Sequence, residues 1–151
     1  MDTLEELVIR FREALDEAKS NNEFCRIIPF CNFPKGCCDM TCDILGHYLL
    51  CYGIETYQLN GQHWDDKEGY SRNHVWLVTT EGVVIDITGD QFRYEPHYKY
   101  YSKRVHIGSE DTIHQIFDER RCKELNMHLE GKDTKRRKIL NQVYKILEKY
   151  L

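Results

Sequence analysis

The stretch that decides the fold is HVWLVTTEGVVIDIT, residues 74–88. Two short runs rich in β-branched and aromatic residues flank Thr80–Gly82, which is the pattern of a β-hairpin. The glycine at the last loop position supplies the left-handed residue that a three-residue hairpin loop requires. The stretch therefore predicts two antiparallel strands, His74–Thr79 and Val83–Thr88.

The length of this loop decides which side chains of the hairpin share a face. A two-residue loop would place Leu77 opposite Asp86 and would put His74 on the other face. The three-residue loop instead places Trp76 opposite Asp86, so His74 and Asp86 become diagonal neighbours about 7–8 Å apart. Because a buried face must be apolar, the sequence favours this second register. In this register the opposite face carries almost only apolar side chains, which are Val75, Leu77, Thr79, Val83, Ile85 and Ile87.

Helical patterns flank the hairpin on both sides. Thr3 to Ser20 shows helical spacing of apolar residues behind a capping-box pattern. A second helix is predicted from Cys37 or Cys38 to Tyr52, and a last one from about Thr134. The other predicted elements are a strand at Ile54–Leu59, a loop over 60–72, a strand at Arg104–Ile107 and a short helix at Asp111–Arg120. Helices followed by antiparallel strands and a final helix predict an α+β fold, with residues 1–151 as a single domain.

The composition narrows the function classes. The 151 residues are 41% hydrophobic and 30% charged, with a formal net charge of -4, so no global basic field favours nucleic acid as a partner. No apolar run is long enough to cross a bilayer, which predicts no membrane partner. The acidic start, residues 1–6, lacks the pattern of a signal peptide. We expect a cytoplasmic protein, with delivery as an effector or phage product left open.

Two local patterns are compatible with a nucleic-acid or other anionic partner, but each has a simpler structural interpretation. Lys135–Lys138 is a run of four basic residues, and such a run on a helix is usually a solvated face. Tyr94–Tyr101 is aromatic and basic, which suits stacking on bases. The acidic net charge favours instead a segment that covers the core.

Cysteine usage predicts free thiols. The chain has seven cysteines, an odd number, and nothing signals export, so a disulfide framework is not expected. The catalytic thiol and the metal ligand remain as the two uses of chemical interest. The cysteines are Cys25, Cys31, Cys37, Cys38, Cys42, Cys51 and Cys122.

A thiol, an imidazole and a carboxylate occur in the order of a cysteine nucleophile, its base and the residue that orients the base. Cys38 opens a predicted helix, where the dipole and the free N–H groups favour a thiolate and suit an oxyanion. His74 and Asp86 share one face of the hairpin. Asp39 and Asp43 oppose thiolate formation, because nearby negative charge favours the thiol.

A zinc site is the alternative use of the same cysteines. Cys38 and Cys42 are one helical turn apart, and Cys31, Cys37 and His47 are close in sequence. Structural zinc sites usually combine two short ligand pairs, and a clear second pair is missing. We therefore expect no metal and no cofactor, and keep a non-catalytic or zinc-stabilised interaction module as the alternative.

Three segments resemble the papain-like cysteine enzymes, in particular the transglutaminase-like branch and a group of small bacterial and phage-borne proteins. They are FPKGCCDMTCDILGHYLLCYG at 33–53, NHVWLV at 73–78 and VVIDITGDQF at 83–92. The resemblance implies a papain-like fold, with N-terminal helices packed on a small antiparallel sheet and a C-terminal helix. It also implies a reaction at a peptide or carboxamide carbonyl, by proteolysis, deamidation or transamidation.

The resemblance assigns roles to individual residues. The Gly-x-Cys spacing places the nucleophile at Cys38, with Cys37 as the alternative, the base at His74 and the orienting carboxylate at Asp86. Asn32 stands in the stretch where these enzymes carry a glutamine that donates to the oxyanion.

Trp76 lies on the same hairpin face as His74, where it either shields the histidine from water or packs. The substrate implied by these roles is a protein or peptide.

Overall fold

The structure, a computed structural model that describes residues 1–125 and 134–151, combines four helices with a five-stranded antiparallel sheet. The α+β class expected from the sequence is confirmed. The sheet order is β4-β3-β2-β1-β5. In chain order the elements are α1 (Leu4–Ser20), α2 (Cys38–Cys51), β1 (Thr56–Asp65), β2 (Tyr70–Thr79), β3 (Val84–Asp86), β4 (His106–Gly108), α3 (Thr112–Ile116), β5 (Glu119–Leu125) and α4 (Lys135–Leu147).

The long helices begin and end close to where the sequence predicts. Thr3 caps α1 in a capping box with Glu6, and Cys37 occupies the N-cap of α2. Gly53 follows α2 with φ at 78°, a left-handed conformation that lets the chain turn toward β1. None of the helices in residues 1–125 and 134–151 has the length and hydrophobicity to span a membrane.

The predicted hairpin register is confirmed. Leu77 pairs with Ile85, the Thr79 N–H donates to the Val83 carbonyl at 2.9 Å, and Gly82 has φ at 86°. Continued along the strands, this pairing places Trp76 opposite Asp86.

The predicted loop over 60–72 is wrong. β1 and β2 pair without a break from Thr56↔Thr79 to Asp65↔Tyr70, and only a tight turn separates them. The strand predicted at Ile54–Leu59 therefore starts at Thr56 and runs to Asp65. Backbone pairing holds this polar hairpin together, so side-chain alternation gives little sign of it.

The predictions after the hairpin were only partly right. The helix predicted at Asp111–Arg120 ends at Ile116, because the chain turns into β5, which pairs with β1. The strand predicted at Arg104–Ile107 lies at His106–Gly108 and pairs with β3.

Both faces of the central strands are buried. Val75, Leu77 and Ile85 pack with α1, α2 and α4 in one apolar cluster. Trp76 and Val84 pack on the other face in a second, aromatic cluster. This second cluster is closed by Phe92, Tyr98, Tyr101, Ile113 and Phe117. The aromatic segment therefore covers a core, as expected, and the face that carries His74 and Asp86 is closed to water.

A buried ion pair joins the first helix to the segment after the hairpin. Arg12 donates to both carboxylate oxygens of Asp90 at 2.8 Å and to the Ile87 carbonyl at 2.7 Å. Asp90 belongs to a 3₁₀ turn, Gly89–Phe92. This contact fixes that turn against α1.

Candidate active site

His74 and Asp86 meet inside the second cluster. His74 projects from β2 and Asp86 from β3, and His74 Nε2 lies 2.7 Å from Asp86 Oδ2. Both side chains are at most 1% exposed. The Thr88 N–H donates to Asp86 Oδ1 at 3.0 Å, which ends the strand in a turn and fixes the carboxylate.

The charges of this pair stabilise each other. Burial alone lowers the pKa of His74, but the charge and hydrogen bond of Asp86 outweigh it and raise that pKa to about 10. Burial likewise raises the pKa of Asp86, yet His74 and a second histidine hold it well below its usual range. The geometry therefore favours an imidazolium–carboxylate pair in a dry interior.

Cys38 reaches this pair, whereas Cys37 does not. Cys38 is half-buried at the first position of α2. Besides burial and Asp86, a hydrogen bond and the charge of Cys38 raise the pKa of His74, so the thiol lies close enough to interact with the imidazole. Cys37 is fully buried in the first cluster, where burial raises the pKa of its thiol to about 12.

A second histidine, His114 on α3, completes the buried cluster. Its Nε2 lies 2.8 Å from the same oxygen of Asp86, and its Nδ1 accepts the Asp111 N–H at 2.9 Å. Since Nδ1 accepts, the ring is neutral and its proton is on Nε2, which donates to Asp86. His114 was not predicted from the sequence, because its only signal there is an Asp-x-x-His pattern that indicates helix capping.

The cluster fits a hydrogen-bonded relay better than a metal site. Within residues 1–125 and 134–151, His74, Asp86 and His114 are the one group of three potential ligands whose donor atoms converge, all within 4.8 Å. A metal on His114 Nε2 would force the ring proton onto Nδ1, against the Asp111 N–H. The residues considered as zinc ligands form no such group in this part of the chain: Cys31, Cys37, Cys38, Cys42 and His47.

The turn after the hairpin supplies a further neighbour of the histidine. Gln91 Nε2 donates to the Thr88 carbonyl at 3.1 Å and lies 3.2 Å from His74 Nδ1. Phe92 packs edge-on against the imidazole, with ring centroids 5.2 Å apart. With Asp90 held by Arg12, each side chain of Asp90–Phe92 therefore helps to fix the surroundings of His74.

Cys38 opens into a cleft of about 830 Å³, a size that suits a ligand or a peptide segment. Its walls are largely polar and include the Asn60 and Gln91 amides and the backbone at Gly36. Arg72 and Glu95, paired at 2.8 Å, form another part of the wall. Cys38 therefore lines a cleft that is open to a substrate, whereas His74 is buried.

The two accessory predictions fare differently. Asn32 is exposed in a 3₁₀ turn and is not among the residues that line this cleft, whereas Asn60 is. Trp76 is fully buried, with its ring 5.6 Å from His74 and 4.7 Å from His114. It packs against both imidazoles, a position that is compatible with both expected roles, shielding His74 from water and packing.

The carboxylates beside Cys38 have a partner in the last helix. Arg136 pairs with Asp39 at 3.2 Å and with the buried Asp43, and the Gln58 amide donates to Asp43 as well. Arg136 thus balances negative charge next to the thiol. Lys135, Arg136 and Lys138 are exposed, as expected of a solvated helix face, and Arg136 in addition pairs within the chain.

Comparison of the chain with protein-family models, curated proteins and solved structures gave no significant match. The candidate site is defined by this chain's own residues: a thiol at a helix start and a buried imidazole held by a carboxylate.

Proposed function

We propose that this protein is a papain-like thiol hydrolase or acyltransferase that acts on a peptide or carboxamide carbonyl. Cys38 is the nucleophile, His74 the base and Asp86 the residue that orients and charges the imidazole. Protein or peptide is the substrate class, with hydrolysis, deamidation and transamidation as the alternative outcomes of one thioester chemistry.

The observation that carries this proposal is the asymmetry of the His74 ring. Nε2 lies 2.7 Å from a buried carboxylate oxygen, and the Cys38 thiol, which lines an open cleft, also interacts with the imidazole and raises its pKa. A histidine that only packs would not need a buried carboxylate on one side and a reachable thiol on the other. Burying a charged pair is costly, and titratable groups with strongly perturbed pKa values beside a cleft are candidates for a catalytic role.

The proposed reaction begins with the proton of Cys38 on His74. The thiolate attacks the carbonyl carbon, and the tetrahedral oxyanion is held by the free N–H groups at the start of α2. The intermediate collapses to a thioester at Cys38, and His74 gives its proton to the leaving amine or ammonia. Water then gives hydrolysis, or an amine gives transfer, with His74 accepting the proton of the attacking group.

The walls of the cleft support the choice of substrate class. Asn60, Asn73 and Gln91 offer neutral amides, which pair with peptide groups by donating and accepting. The side chain that donates to the oxyanion is assigned to Asn60 instead of Asn32, because Asn60 lines the same cleft as Cys38.

Acylation by an activated ester tests the proposal. The purified protein is incubated with p-nitrophenyl acetate, and the modified residue is located by peptide mass spectrometry. We expect an acetyl group on Cys38 that turns over, loss of turnover in Cys38→Ala, and retained turnover in Cys37→Ala. Equal labelling of all exposed cysteines, or unchanged turnover in Cys38→Ala, would contradict the proposal and favour the non-catalytic module.

A further inference from the structure

We propose that His114 is a positioning residue of the site, which holds Asp86 in place and through it sets the charge on His74. The inference rests on the proposed function, because it adds a fourth member to the Cys38–His74–Asp86 set. It assigns His114 a role beyond the capping of a five-residue helix.

The hydrogen bonds of His114 fix which ring nitrogen carries the proton. The Asp111 N–H donates to Nδ1 at 2.9 Å, so the Nε2–H must point away from the backbone, and Asp86 Oδ2 receives it at 2.8 Å. The side chain is fully buried, so no water can replace this donor. Trp76 packs against the ring with centroids 4.7 Å apart, which restricts its rotation.

The hydrogen bond from His114 helps to fix the charge and the orientation of Asp86. Its Oδ1 takes the Thr88 N–H at 3.0 Å, and its Oδ2 takes donors from both His74 and His114. A carboxylate with three donors is kept ionised and cannot rotate about its Cβ–Cγ bond without losing them. Without His114, one side of Oδ2 would be unpaired in a dry interior, and the His74 ring would lose its fixed anchor.

Titratable and charged groups face His114 from every packed element. His74 comes from β2 and Asp86 from β3, and the His106 ring of β4 lies 5.3 Å away. Arg120 of β5 donates to the His114 carbonyl at 2.9 Å. Glu110 and Asp111 precede α3, and Glu110 pairs with Arg120.

Two substitutions test the roles of the two ring nitrogens separately. His114→Asn keeps an acceptor near the Nδ1 position but cannot donate to Asp86. His114→Gln keeps a donor near the Nε2 position but loses the acceptor for Asp111. The rate of Cys38 alkylation by iodoacetamide is measured from pH 5 to 9 for the wild type and both variants, with the exposed Cys25 and Cys51 as internal references and circular dichroism as the check on folding.

We expect His114→Asn to lower the Cys38 rate near pH 7 about tenfold and to move its pH profile toward that of Cys25 and Cys51. His114→Gln should stay within about twofold of the wild type. A folded His114→Asn variant with the wild-type profile would overturn the inference, because a purely structural role would leave the profile unchanged.

A second measurement needs no substitution. Nitrogen NMR of the wild-type histidines should show His114 as the neutral tautomer with its proton on Nε2 at neutral pH, and an Nδ1–H tautomer or a charged ring would overturn the inference. Failure of the proposed function would look different. In that case His74→Gln would leave the wild-type Cys38 rate unchanged, whatever the His114 variants do.

Discussion

The surroundings of Asp86 determine whether its carboxylate is charged. The carboxylate is almost completely removed from water, which alone would make it neutral. Three hydrogen-bond donors and the charge of His74 reverse that tendency and lower its pKa. Asp86 is therefore a buried anion on which both histidines depend.

The titration of Asp86 predicts a loss of stability in acid. Because its folded-state pKa lies below the unfolded value of about 3.9, its contribution is fully present above that value and is lost as pH falls through the folded-state pKa. Asp86→Asn removes this contribution but also removes the counter-charge of the buried His74, whose pKa burial then lowers. Urea unfolding at pH 7 and pH 3 should therefore show a larger drop for Asp86→Asn than for the wild type, because acid must then protonate a buried neutral imidazole. Equal drops in the two proteins would show that Asp86 does not hold the charge of His74.

At the same scale, the sequence could suggest the site but not complete it. The order of thiol, imidazole and carboxylate predicted Cys38, His74 and Asp86, with the Gly-x-Cys spacing favouring Cys38 and leaving Cys37 as the alternative. The phase of α2 separates them, because Cys37 caps the helix inside the core and Cys38 opens into the cleft. His114 comes from an element distant in the chain, and only tertiary packing brings it to Asp86.

The elements differ in how well their sequences describe them. The 74–88 hairpin was predictable to its register, because its loop length and its apolar face agree. The outer half of β1 was not, because Gly61 and the polar residues around it look like a loop. Gly61 occupies a strand there because neighbouring side chains leave no room for a larger residue.

Gly61→Ala should destabilise the protein by about 1–3 kcal/mol through overpacking. A Cβ at this position would lie 2.6 Å from Phe117 Cβ and 2.9 Å from Trp76 Cη2, and the ring of Trp76 packs against His74. Chemical denaturation checks the prediction, with the exposed strand residue Ser71 changed to Ala as the control. If Gly61→Ala were as stable as Ser71→Ala, the close packing behind His74 would be refuted.

At the scale of the whole molecule, the site depends on parts far apart in the sequence. α1 holds the turn beside His74 through Arg12 and Asp90, and α4 balances the charge beside Cys38 through Arg136. Composition and periodicity predicted these helices but not their long-range ion pairs. A basic run has the same pattern whether it is solvated or paired within the chain.

Arg12→Met should lower the free energy of unfolding by about 3–5 kcal/mol, because it leaves Asp90 buried without its guanidinium. Arg10→Met is the matched control on the same helix, since Arg10 and Asp2 are each 39% exposed and exposed ion pairs contribute little to stability. Thermal and urea unfolding compare the two variants. Similar losses for both would mean that the Arg12–Asp90 pair does not hold the turn.

The central claim is that Cys38 and His74 form a reactive pair, and the pH dependence of alkylation at each cysteine tests it most directly. Iodoacetamide rates are followed by peptide mass spectrometry in the wild type and in His74→Gln. We predict that Cys38 reacts faster than the exposed Cys25 and Cys51 below pH 7, and that this advantage disappears in His74→Gln. A Cys38 rate that follows theirs, rising only toward the ordinary thiol pKa of about 8.5, and that ignores the His74 substitution would contradict the claim.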